Sequence, residues 1–178
     1  MIRLFAAIPI PRYIGQGLAQ RQQGLPGARW RPLEALHITL RFAGDLPENQ
    51  ADDFDAELST IAAPPLSLAV SGVGTFGEGD ETHALWAGIE INKGLAHLAA
   101  RCESAARRAG LKPETRGWRA HVTLAYLRRV EVGSLAAWIQ AASLLKSPPF
   151  VADAFGLYSS WRGDEGAVYR LERAYALG

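Results

Sequence analysis

A single cysteine, Cys102, is all the chain has, and this excludes an intrachain disulfide and any zinc-finger spacing. It falls in a helix-like run and reads as a small core residue. No stretch approaches the roughly 18 consecutive apolar residues of a membrane-spanning helix. The opening run, Met1 to Pro9, is too short and too soon interrupted for a signal peptide, so the expectation is a cytoplasmic protein without membrane association. Net charge is scarce as well. Lys and Arg number 19 against 18 Asp and Glu, leaving +1 and excluding a general polyanion binder. Lysine is rare: Lys93, Lys112 and Lys146 are the only three, so 16 of the 19 cations are arginine. Arginine's planar fork suits phosphate oxygens, although a GC-rich coding sequence produces the same bias. The remainder, 48% hydrophobic and 21% charged over 178 residues, describes one globular domain with a substantial core.

Against that background one short pattern occurs twice. His37-Ile38-Thr39-Leu40 returns as His121-Val122-Thr123-Leu124, and these histidines are two of only four in the chain. Their apolar, β-branched surroundings predict strands. In a strand, residues i and i+2 share a face, so each segment presents an imidazole and a hydroxyl together. Ile38, Leu40, Val122 and Leu124 then point the other way, into a core. Two such strands facing each other would combine two acid/base groups with two hydroxyl donors. His83 and His97 have no counterpart in pattern and read as surface or structural residues.

The flanking sequence repeats too. Pro64-Pro65 begins 27 residues after His37, and Pro148-Pro149 begins 27 residues after His121. Ala84-Leu85-Trp86 and Ala167-Val168-Tyr169 follow their histidines by 47 and 46 residues. Helices are expected over 11–24, 48–61, 93–109 and 134–143, with strands over 4–8, 66–73, 84–91, 150–159 and 167–175. The third helix is the clearest: Leu95, Leu98, Ala99, Cys102, Ala105, Ala106 and Ala109 recur at helical spacing, and Gly110 is placed to end it. A repeat of this length implies two duplicated lobes rather than a solenoid. If the lobes pack about a pseudo-twofold axis, the two distant tetrapeptides become one site.

At these residues the chain resembles the 2H phosphoesterase superfamily, in particular its RNA 2′,3′-cyclic phosphodiesterase (2′–5′ RNA ligase-like) branch. The resemblance runs over Arg3-Leu4-Phe5-Ala6-Ala7-Ile8, Leu36 to Gly44, His121 to Ala125, and Leu157-Tyr158-Ser159-Ser160. It implies one α+β domain over residues 1–178. Two pseudo-symmetric lobes would have antiparallel sheets lining a central cleft and helices packed outside. It also implies a monomer that opens terminal 2′,3′-cyclic phosphates on RNA or related nucleotides, leaving a 2′-phosphate, with a weak reverse 2′–5′ ligation. His37 would be the acid at the leaving oxygen and His121 the base. Thr39 and Thr123 would bind the phosphate. There are departures: family members often carry Pro where this chain has Ala120, and commonly a basic residue where it has Tyr126. Arg41, at i+4 from His37 and so on the same face of a regular strand, is the expected substitute cation; Arg162 and Arg119 are the other candidates. Trp30 and Trp118, each flanked by arginine, are candidate base-stacking residues.

The chemistry is consistent with those residue types. Opening a cyclic phosphate needs a base for water, an acid for the leaving ribose oxygen and donors for the phosphoryl oxygens, and histidine serves either proton-transfer role near neutrality. No cofactor and no metal are expected. There is no His-Glu-x-x-His, no cysteine cluster and no acidic residue at a common offset from both histidines. Two rival readings use the same cleft: a non-catalytic RNA-end or nucleotide-binding module, and a phosphodiesterase for a small cyclic phosphate.

Overall fold

The computed structural model describes residues 1–164 and 166–178. Strand β1 (Ile2–Pro9) leads to helix α1 (Arg12–Ala19), strand β2 (Ala28–Trp30), one 3₁₀ turn (Leu33–Ala35) and the first histidine strand, β3 (His37–Leu46). Helix α2 (Glu48–Ser59), β4 (Leu66–Leu68), β5 (Val70–Phe76) and β6 (Ala84–Ile89) complete the first half. Helix α3 (Lys93–Arg108) opens the second, followed by β7 (His121–Leu127), α4 (Val132–Ala142), β8 (Phe150–Ala152), β9 (Ala154–Gly163) and β10 (Gly166–Ala176).

Local chemistry explains the clearest helix. Asn92 caps α3 by accepting a 2.9 Å hydrogen bond from the Leu95 amide, satisfying one of the free donors of the first turn. Its buried stripe is Leu95, Leu98, Ala99, Cys102, Ala105 and Ala106, and each leucine contributes about 1.5–3 kcal/mol by leaving water. Gly110, at φ +79°, turns the chain out of the helix, a conformation that costs glycine little.

The described strands form one antiparallel sheet in the order β10-β9-β1-β3-β7-β6-β5, with β2 also paired to β7, and a separate two-stranded ribbon of β4 and β8. The expected strands over 66–73 and 150–159 each break in two, at Ala69 and Asp153, both 32 residues after their histidines. The short leading pieces pair with each other as β4 and β8; the trailing pieces join the main sheet. The two halves also exchange strands. β5 and β6 follow β3 in sequence but lie beside β7, whereas β9 and β10 follow β7 but lie beside β1. In space β6 occupies the inner position that β1 takes across the axis, and β10, its sequence counterpart, is an outer edge. The fold is α+β, as expected, with α2 and α3 against one face of the sheet and a cleft on the other.

Candidate active site

One residue pair bridges β3 and β7 among the described residues, Ile38 opposite Val122. Both are fully buried, so strand alternation sends His37, Thr39, His121 and Thr123 to the open face. The antiparallel register about that pair sets His37 beside Thr123 and Thr39 beside His121. Past the bridge the strands part. Over His37, on the side of β1, β9 and β10, lies a cavity of about 590 Å³ whose wall includes Arg31, His37, Thr39, Thr123, Tyr126 and Tyr169; His121, beside Thr39 in the register, stands outside that wall.

The two imidazoles are held alike. Nδ1 of His37 donates to the Ala35 carbonyl and Nδ1 of His121 to the Arg119 carbonyl, each at 2.8 Å. This fixes the tautomer and leaves both Nε2 atoms for a ligand. Phe5 stacks on the His37 ring at 4.8 Å and Tyr169 meets it edge-on at 5.2 Å. Phe76 meets His121 edge-on at 4.8 Å. Burial among these rings disfavours the charged form and pushes His37 down to about 4; the charges of Arg31 and His121 add to this and the Ala35 hydrogen bond opposes it. His121 is lowered too, by burial first and then by Arg119, against its own carbonyl hydrogen bond. At neutral pH, then, the cleft presents two neutral imidazoles and two hydroxyls.

Both histidine strands carry an extra residue at the same place. Thr39 pairs with Ala7 but Arg41 with the next residue, Ala6, leaving Leu40 as a bulge. Thr123 pairs with Trp86 but Ala125 with Leu85, leaving Leu124 as a bulge. A bulge reverses the alternation that follows it. Arg41 and its counterpart Ala125 are therefore buried, while Phe42 and Tyr126 emerge on the cleft face. The duplicated design extends beyond the tetrapeptides.

A family model described as LigT-like phosphoesterase matches residues 8–86 and 89–169, parting where the halves of the repeat part. This chain belongs to the LigT-like phosphoesterases. The RNA 2′,3′-cyclic phosphodiesterase of Geobacillus stearothermophilus is 30% identical over 127 residues, 68% of this chain but only 40% of that protein's length. The RNA 2′,3′-cyclic phosphodiesterase of Methanocaldococcus jannaschii is 26% identical over 174 residues, 96% of this chain and 98% of that one. Crystalline E. coli LigT with 3′-AMP superposes with a TM-score of 0.81 at 24% identity, over 99% of this chain and 98% of that one.

In this LigT-like phosphoesterase, then, His37, Thr39, His121 and Thr123 come together, and other residues singled out in the sequence do not. Arg41 is the main correction. The bulge at Leu40 turns it away from the cleft, where it pairs with Glu103 of α3 and donates to the carbonyls of Phe42 and, at 2.6 Å, Lys112. Arg41→Ala should accordingly cost about 1–3 kcal/mol by taking a donor from Glu103 and from the Phe42 and Lys112 carbonyls, while phosphoesterase activity of the folded fraction changes by less than about threefold, as for a site apart from the chemistry. Urea unfolding beside steady-state rates checks this. A large rate loss without destabilisation would return Arg41 to the cleft.

The tryptophans also separate. Trp30 faces the helix layer and packs on Trp138 of α4, ring centroids 5.8 Å apart. Trp118 stays 39% exposed and donates its Nε1–H to the Thr39 carbonyl at 3.0 Å, over the backbone of β3 rather than in the cavity wall. His83 and His97 are exposed. Several cavity residues escaped the sequence reading, Trp161 and Arg31 among them. Trp161, half exposed, is steadied by a 2.7 Å hydrogen bond to the buried Ser159 hydroxyl. Arg31 is only 5% exposed, yet its side chain reaches the cavity. Its position follows from β2, which takes over pairing along β7 where β3 leaves it, at Ala28↔Leu127, Arg29↔Tyr126 and Trp30↔Ala125. Gly27 permits that approach, since a Cβ there would lie 2.8 Å from the Arg128 carbonyl oxygen. The Arg31 amide continues the ladder to the bulged Leu124 carbonyl at 2.8 Å. The alternation Arg29-Trp30-Arg31 was the available signal, but a three-residue strand is too short to announce itself.

Proposed function

We propose that this chain hydrolyses the terminal 2′,3′-cyclic phosphate of RNA to a 2′-phosphate, using side chains alone. The paired His-x-Thr strands, joined side by side at Ile38 and Val122 with neither Nε2 hydrogen-bonded among the described residues, carry this reading. The relatives named RNA 2′,3′-cyclic phosphodiesterase support the choice of substrate. Nε2 of His121 takes a proton from water as its oxygen attacks phosphorus. The bond from phosphorus to the 3′ oxygen breaks, and Nε2 of His37 gives that oxygen its proton. Thr39 and Thr123 donate to the non-bridging oxygens. A depressed pKa suits His37 for this role, because a weakly held proton is a strong acid toward an alkoxide; the anionic substrate, once bound, supplies the charge that brings the proton there. A 5′-hydroxyl in place of water would give the reverse 2′–5′ joining by the same transfers.

The decisive assay uses a short RNA with a 2′,3′-cyclic end, incubated in EDTA, with the product's phosphate position determined. Full turnover to a 2′-phosphate is expected. Loss of activity on chelation, restored by one metal ion, would sink the side-chain mechanism and make ligands of the histidines. No turnover of the RNA, with hydrolysis of a small cyclic nucleotide, would favour the small-substrate reading.

A further inference from the structure

The transferring phosphoryl group is anionic, and the histidine strands give it no cation: Arg41 is engaged behind the sheet, and the emerging position on β7 is Tyr126. Three arginines line the cavity, Arg3, Arg31 and Arg162. Arg3 faces Asp45 across 3.7 Å and lies over the Phe42 ring. Arg162 stands exposed on β9. Arg31 alone is buried, and its guanidinium carbon lies 5.4 Å from the ring centroids of both Tyr126 and Tyr169.

That holder has a physical purpose. A guanidinium taken out of water needs compensation, and the two tyrosine rings provide part of it by cation–π attraction. One N–H donates to the Ala167 carbonyl at 3.4 Å, a long bond that uses one of five donors. The backbone is pinned on both sides: its amide donates to the Leu124 carbonyl, and the Gln22 side chain donates to the Arg31 and Leu124 carbonyls at 2.9 Å each. The charge therefore sits fixed beside the reacting residues before substrate arrives. Tyr169 touches both Arg31 and His37, and the positive charge of Arg31 is felt at His37. Preorganised donors of this kind act without reorganising during the reaction.

We propose that Arg31 is the phosphate-binding cation of this site, its fork holding a non-bridging phosphoryl oxygen, with Tyr126 and Tyr169 as its walls. The positive charge thus reaches the phosphate from the end of β2 instead of from a histidine strand. This rests on reading the cleft as a cyclic phosphodiesterase site.

The test uses Arg31→Met, which keeps a stem of similar shape between the two rings, and inorganic phosphate as a probe independent of turnover. Arg31→Met should lower kcat/KM on the cyclic-ended RNA by about 10²-fold, the scale for one preorganised donor, and weaken phosphate binding at least tenfold, or about 1.4 kcal/mol. Should Arg31→Met not fold, the wild-type protein decides: titration with phosphate should shift the guanidinium NMR signal of Arg31, assigned through the more conservative Arg31→Lys. A folded Arg31→Met with wild-type rate and phosphate affinity overturns the proposal. So does an Arg31 signal that stays still while those of His37 and His121 move. If the wild-type protein leaves cyclic-ended RNA intact, the functional reading falls, and the phosphate titration still decides the fate of Arg31.

Discussion

His37→Ala and His121→Ala should each lower kcat/KM on a cyclic-ended RNA by about 10²–10⁴-fold, the usual scale for one general acid or base. The double variant should lose less than the product of the two, because groups acting in a single step are not additive. Both rings stand half-buried on the cleft face, where truncation removes an aromatic contact without opening the helix-side core. A second substrate separates their roles. In a 3′-thio analogue of the cyclic end the leaving thiolate needs no proton, so it should restore turnover to His37→Ala and leave His121→Ala inactive. Recovery by His121→Ala instead would exchange acid and base. Near-wild-type turnover by either variant on the natural substrate would end the two-histidine mechanism.

The dependence of kcat/KM on pH should be bell-shaped with its maximum on the acid side of the ordinary histidine range. The competent free enzyme carries one proton on the pair, and such profiles report the pair rather than either ring. Burial lowers both groups, His37 to about 4 and His121 less. As pH falls the first proton arrives below the usual value near 6.5, mostly on the less depressed His121 and in the productive form on His37, and a second arrives toward 4, leaving a pair with two protons and no base. As pH rises past the upper limb, activity should fall about tenfold per unit. The bell for kcat should lie higher, because the bound phosphate's negative charge raises both groups. Initial rates at limiting and saturating substrate test this; a kcat/KM optimum above pH 8 would contradict the burial of the imidazoles.

What the sequence revealed and what it concealed have different physical origins. The His-x-Thr pairs were legible because strand alternation is local and both copies obey it. Helix α3 was legible because its buried stripe, its Asn92 cap and its Gly110 stop all agree. The bulges were not. An extra residue at Leu40 or Leu124 leaves no compositional mark, since Leu-Arg-Phe and Leu-Ala-Tyr read equally well as regular strand. Arg41, counted past the bulge, was therefore assigned to the wrong face. The splits at Ala69 and Asp153 depend on where β4 and β8 find each other, which is a tertiary matter. Arg31 and Trp161 reach the cavity from β2 and β9, strands placed there by pairing with β7 and β1 rather than by any nearby pattern.

The Ile38–Val122 bridge ties the chemistry to the core behind it. Each imidazole is adjacent in sequence to one member of that pair, and the gap between acid and base is set by how closely two buried aliphatic side chains allow their strands to approach. Proton-transfer geometry in this protein is thus a property of packing volume. The hydrophobic interior acts as the gauge block of the active site, and selection for turnover bears on residues that no substrate ever touches.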